Sequence, residues 1–173
     1  MDATELSYEI VWQKVDARLT EELTEFWLSQ KALPSREAAA KRAPSVAIVA
    51  REKDGHIVGV SSVFPSRYKN LMNNMLYGYR SFVAPEWRRF LVGLVLAQHV
   101  TEHLESEYVS GRATECNGIV IVAENADLSR GWNLAIDPRL PYVFIGTNER
   151  GDYIRVYWFE GAEIVRQASG GAS

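Results

Sequence analysis

Val83-Ala84-Pro85-Glu86-Trp87-Arg88-Arg89-Phe90-Leu91-Val92-Gly93-Leu94-Val95-Leu96 is the stretch that decides how this chain is read. Before it, Met75 to Val83 has the aromatic and apolar content of a strand. After it, one long helix is expected from about Phe90 to Tyr108, ending near Gly111. Between them lies a short turn carrying Pro85, Arg88 and Arg89. The opening turn of a helix presents unpaired backbone N–H groups and a partial positive charge. With two arginines beside it, that end suits a phosphate or pyrophosphate. A basic helix start on a solvated surface is the plainer reading of the same residues.

The elements on either side alternate. Upstream, Ser45 to Arg51 and Ile57 to Pro65 are apolar, β-branched runs flanking Asp54-Gly55, a hairpin turn signal. Arg36 to Arg42 is alanine-rich and makes a short helix between Ser35 and Pro44. Asp16 to Gln30 places Leu19, Leu23, Phe26 and Trp27 on one helical face, with acidic residues early, and Tyr8 to Val15 alternates as a first strand. Leu71 to Asn74 reads as a loop. Downstream, Gly118 to Ala123 is a short strand of the buried type, followed by Glu124-Asn125 and a helical piece from Ala126 to Ala135. Tyr142 to Gly146 and Tyr153 to Phe159 read as a final hairpin, and the small, polar tail from Ala168 to Ser173 is expected to be disordered. No repeat or linker interrupts the order β-α-α-β-β-β-α-β-α-β-β, so residues 1–173 are expected to form one domain.

The arginine turn resembles the acyl-CoA loop of the GCN5-related N-acetyltransferases (GNAT), whose pattern is Arg or Gln, two residues, Gly, one residue, then Gly or Ala. Arg88 fills the first position and Gly93 the last, and the Val83-x-Pro85-Glu86-Trp87 lead-in looks like the family's. Leu91 stands where the middle glycine belongs, and Arg89 where glycine is also frequent. The order of elements resembles that family from about Tyr8 to Phe159. This implies an α/β (α+β) GNAT-like fold with a mixed, mostly antiparallel central sheet flanked by helices. It further implies acetyl-CoA, or another short acyl-CoA, as co-substrate. The pyrophosphate would lie beside Arg88 on the amides of Arg89, Phe90, Leu91, Val92, Gly93 and Leu94. The pantetheine arm would run along Ser81, Phe82 and Val83, opposite Val120 to Ala123, with Asn125 in reach. A helix cap for Ala126 onward is the other reading of Asn125, and the slightly favoured one.

Acyl transfer in this family is direct attack by an amine on the thioester, which needs a base for the amine proton and a donor for the departing thiolate. The family's base is often a glutamate on the strand entering the loop. Here Leu76-Tyr77-Gly78-Tyr79-Arg80-Ser81 carries no carboxylate. Period-2 alternation puts Tyr77, Tyr79 and Ser81 on one face and Arg80 on the other with Phe82. Tyr79, Ser81 and Tyr77 are therefore the candidate catalytic residues, with water relayed by Tyr79 or Ser81, because a tyrosine is a poor base near neutral pH. Cross-strand packing is the other reading of the two tyrosines. The family's thiolate donor, a tyrosine seven residues after the Asn, corresponds here to Trp132, whose indole N–H is no general acid. The expected function is an acyl-CoA-dependent N-acyltransferase acting on a small-molecule or protein amine. The alternative, favoured by Leu91, Arg89, Trp132 and the missing glutamate, is a catalytically inactive relative that binds CoA or another phosphorylated ligand as a sensor or assembly module.

Composition narrows the partners. A net charge of -3 speaks against broad nucleic-acid binding. The one cysteine, Cys116, cannot form an internal disulfide and is expected to be a buried thiol. No signal peptide is evident, and the longest apolar stretch, Phe90 to Ala97, is too short to span a membrane, so a cytoplasmic protein is expected. His99 and His103 have i, i+4 spacing, but no third ligand is apparent and no metal is expected. Gly59-Val60-Ser61-Ser62-Val63 lacks the second glycine of a nucleophile elbow. His56, in a hairpin turn, is expected to be exposed. Arg67 and Lys69 beside Tyr68 extend the basic surface or simply aid solubility. Tyr153, Arg155 and Tyr157 share a strand face that could line an acceptor site or a homodimer contact, or be an ordinary half-exposed face.

Overall fold

Two helices begin where a short polar side chain can cap them. Asp16 Oδ1 accepts from the Leu19 amide at 2.8 Å, and Ser35 Oγ accepts from the Ala38 amide at 3.1 Å. The computed structural model describes residues 6–123 and 134–164, and it has α1 at Ala17–Ser29 and α2 at Arg36–Arg42. The first turn of α1 carries no acidic side chain: the carboxylate at that end is the cap itself, and Glu21 and Glu22 fall later than expected.

The strands are β1 (Ser7–Ile10), β2 (Val46–Arg51), β3 (Ile57–Tyr68), β4 (Asn74–Val83), β5 (Gly118–Ala123), β6 (Ile136–Asp137), β7 (Leu140–Thr147) and β8 (Tyr153–Trp158). A third helix, α3, spans Val92–Val109. The strands hydrogen-bond in the order β1-β2-β3-β4-β5-β8-β7-β6. Pairing of β1 with β2, β2 with β3, β5 with β8, β6 with β7 and β7 with β8 is antiparallel, whereas β4 and β5 are parallel. The fold is the mixed, mostly antiparallel α/β sheet that the order of elements implies.

The elements depart from the sequence reading in several places: β4 already begins at Asn74, inside the expected loop, and β7 runs from Leu140 to Thr147. β1 stops at Ile10 instead of Val15, because the Lys14 amide donates to the Val11 carbonyl and Gln13 turns through φ 59°. β3 continues past Pro65 to Tyr68. A two-residue strand, β6, pairs with β7 where no strand is expected. Most of the helix expected from Ala126 to Ala135, and the whole Ala168 to Ser173 tail, lie outside the described residues.

The chain divides into two compact units, Met1–Val63 with Arg80–Glu102, and Phe64–Tyr79 with His103–Ser173. In the first, β2 is buried from Val46 to Ala50, and Leu23 and Trp27 of α1 are buried as well. A Cβ on Gly59 would lie 3.2 Å from Val92 Cγ1 and 3.3 Å from Leu96 Cδ1. The opening turns of α3 are thus seated tightly on β3, and full burial of Val92 and Leu96 contributes roughly 1.5–3 kcal/mol each. In the second unit, Leu76, Val120 and Val156 form a buried cluster edged by Tyr68, Leu71, Val122, Ile154 and Trp158. Among the described residues, no helix is long and apolar enough to cross a membrane.

Candidate functional site

The end of β4 leads into the arginine turn entirely within the first unit. Arg80 and Ser81 are exposed, Phe82 is half-buried with its ring edge-on to Phe26 at 5.7 Å, and Val83 is buried. The Ala84 amide donates to the Val58 carbonyl at 2.8 Å, which fixes the point where the chain leaves the sheet. The expected short turn is a six-residue 3₁₀ helix, Pro85–Phe90, so α3 starts at Val92 and not at Phe90. Trp87 is buried under this segment, 5.4 Å from the Phe90 ring.

Leu91 joins the two helices with φ 58° and ψ 19°, in the left-handed region. Its carbonyl accepts from the Leu94 and Val95 amides at 2.9 and 3.1 Å, the first bonds of α3. Val92 and Gly93 precede those bonds; Val92 is fully buried, so Gly93 carries the amide that this helix start offers to an anion. Gly93 has ordinary backbone angles, and a Cβ there would meet only Val83 Cγ2, at 3.8 Å. Arg88 Nε donates to the Val83 carbonyl at 3.1 Å, and its guanidinium lies 5.9 Å from the Phe82 ring centre. The Arg89 guanidinium sits 4.7 Å from the Phe90 ring centre. Among the described residues neither arginine is in an ion pair, which leaves two cations beside the helix start. Ser81, Phe82, Val83 and Arg88 to Leu94 are therefore brought together.

Tyr77 and Tyr79 lie on the part of β4 that belongs to the second unit. There β4 pairs with β5 from Tyr77 opposite Ile119 to Tyr79 opposite Ile121. Tyr77 is buried, and its hydroxyl donates to Glu115 Oε1. Burial first, and then that carboxylate, drive the Tyr77 phenol far above its ordinary value, so it stays protonated and cannot serve as a base. Tyr79 is also mostly buried, whereas Ser81 faces solvent. Asn125 and Trp132 lie outside the described residues.

The remaining candidates resolve into structure. Arg155 is 1% exposed and donates to the carbonyls of Leu134, Ala135 and Tyr142, so the Tyr153-Arg155-Tyr157 face is not an open one at its centre. Tyr157 donates to Glu105 at 2.7 Å, a contact its spacing did not announce. His99 packs on Tyr8 at 5.1 Å between ring centres, and Arg67 donates to the Asn73 carbonyl at 3.0 Å. His56 is exposed beside Asp54. A groove of about 1200 Å³ in the first unit is lined by Glu9, Glu22, Phe26, Arg51, Glu86 and Trp87 among others. Part of its charge is spent internally, with Arg51 paired to Glu22 at 2.8 Å and to Glu9 at 3.5 Å.

A family model described as the acetyltransferase (GNAT) family matches residues 12–118, a span that includes β4, the arginine turn and all of α3. Solved structures share the fold. An acetyltransferase of the GNAT family from Streptococcus pneumoniae superposes with a TM-score of 0.61 at 14% identity, covering 90% of this chain and 99% of that one. NAA60 of Arabidopsis thaliana, solved in complex with acetyl-CoA, gives 0.56 at 13% identity, over 89% and 99% of the two chains. The ribosomal-protein-S5-alanine acetyltransferase of Vibrio fischeri gives 0.58 at 9% identity, over 92% and 96%. At such identities the likeness is one of fold. No curated protein sequence matches the chain.

Proposed function

Because the chain belongs to the acetyltransferase (GNAT) family, we propose that it transfers an acyl group from acetyl-CoA or another short acyl-CoA to an amine. The amine nitrogen forms a bond to the thioester carbonyl carbon and the C–S bond breaks. The amine gives up a proton, and the leaving thiolate takes one to become CoA. The observation that carries this reading is the junction of β4 and α3: an exposed strand end, two arginines that form no ion pair among the described residues, and the start of a long helix, all in one unit. Arg88 and Arg89 hold the phosphates, and the amide of Gly93 completes the cradle. The backbone of Ser81, Phe82 and Val83 offers edge groups to the pantetheine amides. Tyr79 and Ser81 remain the candidates for relaying the amine proton through water.

Gly93→Asp tests the cradle without testing the fold. The site has room for a side chain, and an acidic residue in a helix's first turn favours the helix. The variant should melt within about a degree or two of the native protein yet lose at least about tenfold in affinity for acetyl-CoA by calorimetric titration. Gly93→Ala should retain binding. Equal affinity of Gly93→Asp and the native protein would place the coenzyme elsewhere.

A further inference from the structure

Val143, Phe144 and Ile145 follow one another on β7; all three are apolar and all three are exposed. Successive side chains of a strand point to opposite faces, so a surface strand ordinarily buries one set and presents polar residues with the other. Here apolar side chains are exposed on both faces. Ile136 lies opposite Val143 across β6 and β7, and the Phe144 amide donates to the Ala135 carbonyl, which brings Leu134 alongside. These five side chains, each between 37% and 57% exposed, sit at one end of the sheet order and wholly within the second unit. The strand at the other end, β1, carries a charge instead, the Glu9 carboxylate paired with Arg51 at 3.5 Å. Clustered apolar surface of this kind marks contact with another macromolecule. We infer that the β6–β7 edge is the surface through which two copies of this chain associate about a twofold axis. Such an axis sets a surface against itself, so the surface must not repel itself. A chain of net charge -3 meets that condition at an uncharged apolar patch. The nearby Arg139 adds no net charge, because Asp137 neutralises it at 2.7 Å. The bulge between Phe144 and Gly146 interrupts the ladder, so the copies meet through side chains and not as one continuous sheet. Five such side chains suit the apolar centre of a contact that buries roughly 800 Å² per partner. The association is independent of the acyl-CoA reading.

Sedimentation equilibrium of the native protein over about 1–100 μM is the test. At the upper end most of it should have twice the 19.5 kDa mass of one chain. Val143→Lys and Ile145→Lys each put a charge into the apolar contact and should return the protein to single-chain mass. Both positions are exposed, so the near-ultraviolet circular dichroism of these variants should match the native spectrum. Ile10→Lys, on the exposed side of β1, should leave the pair intact. Should the lysine variants misfold, Val143→Thr and Ile145→Thr keep a β-branched side chain in the strand. Each should raise the dissociation constant at least about tenfold, because the twofold axis counts every substitution twice. A native protein that keeps single-chain mass throughout overturns the proposal, whatever other partner the patch then takes. Association at native strength in both lysine variants, or in both threonine variants, overturns it too, since the contact then lies elsewhere. So does loss of the pair in Ile10→Lys alone.

Discussion

Two tyrosines that alternate along β4 to the same face carry different chemistry. Tyr77 is committed as a donor to Glu115, and the same burial that raises its phenol makes its ring part of the second unit's interior. Replacing it with phenylalanine keeps the ring and removes the hydrogen bond, at a cost of about 1 kcal/mol. Tyr77→Phe should therefore melt about 2–4 °C lower, with kcat per folded molecule preserved. A loss of kcat without a loss of Tm would return Tyr77 to the reaction. Tyr79→Phe should behave in the opposite way. In the reading proposed here its hydroxyl helps to relay a proton, so kcat should fall severalfold more than acetyl-CoA affinity, with a small change in Tm. An unchanged rate would make Tyr79 a packing residue, like its neighbour. The sequence shows that both side chains share a face, but it cannot show that a carboxylate 38 residues away meets one of them.

At the scale of elements, legibility follows whether the determining contact is local. The bounds of α2 could be read to the residue, because Ser35 caps it and Pro44 closes it within the same short stretch. The arginine turn was legible in its charge but not in its geometry: nothing in Pro85 to Leu91 announces a six-residue 3₁₀ helix followed by a left-handed leucine. β6 was missed for another reason. Two residues show no period, and what fixes that strand comes from far along the chain. Arg155 reaches back 20 and 21 residues to the Ala135 and Leu134 carbonyls. A carbonyl has no side-chain signature, so alternation placed Arg155 on a half-exposed face when it is buried. Arg155→Leu should leave these acceptors without their donor and cost roughly 2–4 kcal/mol. Hydrogen exchange should then accelerate first in β6 and β7. Unchanged protection there would mean that the strands hold without the arginine.

Across the whole molecule, the groups that must stay neutral are unevenly distributed. Burial, with a smaller push from Glu115, takes the Cys116 thiol from 9.0 to about 12. Burial and the Glu105 carboxylate take the Tyr157 phenol from 10.0 to about 12, and Tyr77 is driven up as well. All three belong to the second unit, whereas in the first, among the described residues, only the Tyr8 phenol is raised. Each group loses a proton more readily in the unfolded chain than in the fold. Below about pH 9 both states keep these protons, and these groups add no pH dependence to stability. Between the unfolded values of 9.0 and 10.0 and the folded values near 12, the unfolded chain ionises first, so stability falls as pH rises. The expected outcome is a Tm that drops steadily from about pH 9 upward. Amide exchange should increase in residues 64–79 and 103–123 before it does in 6–63. Thiol labelling of Cys116 should become fast only as that unit opens. If alkali instead loosened the first unit first, or Cys116 reacted at neutral pH as fast as a free thiol, the buried neutral groups would not be what limits the fold at high pH.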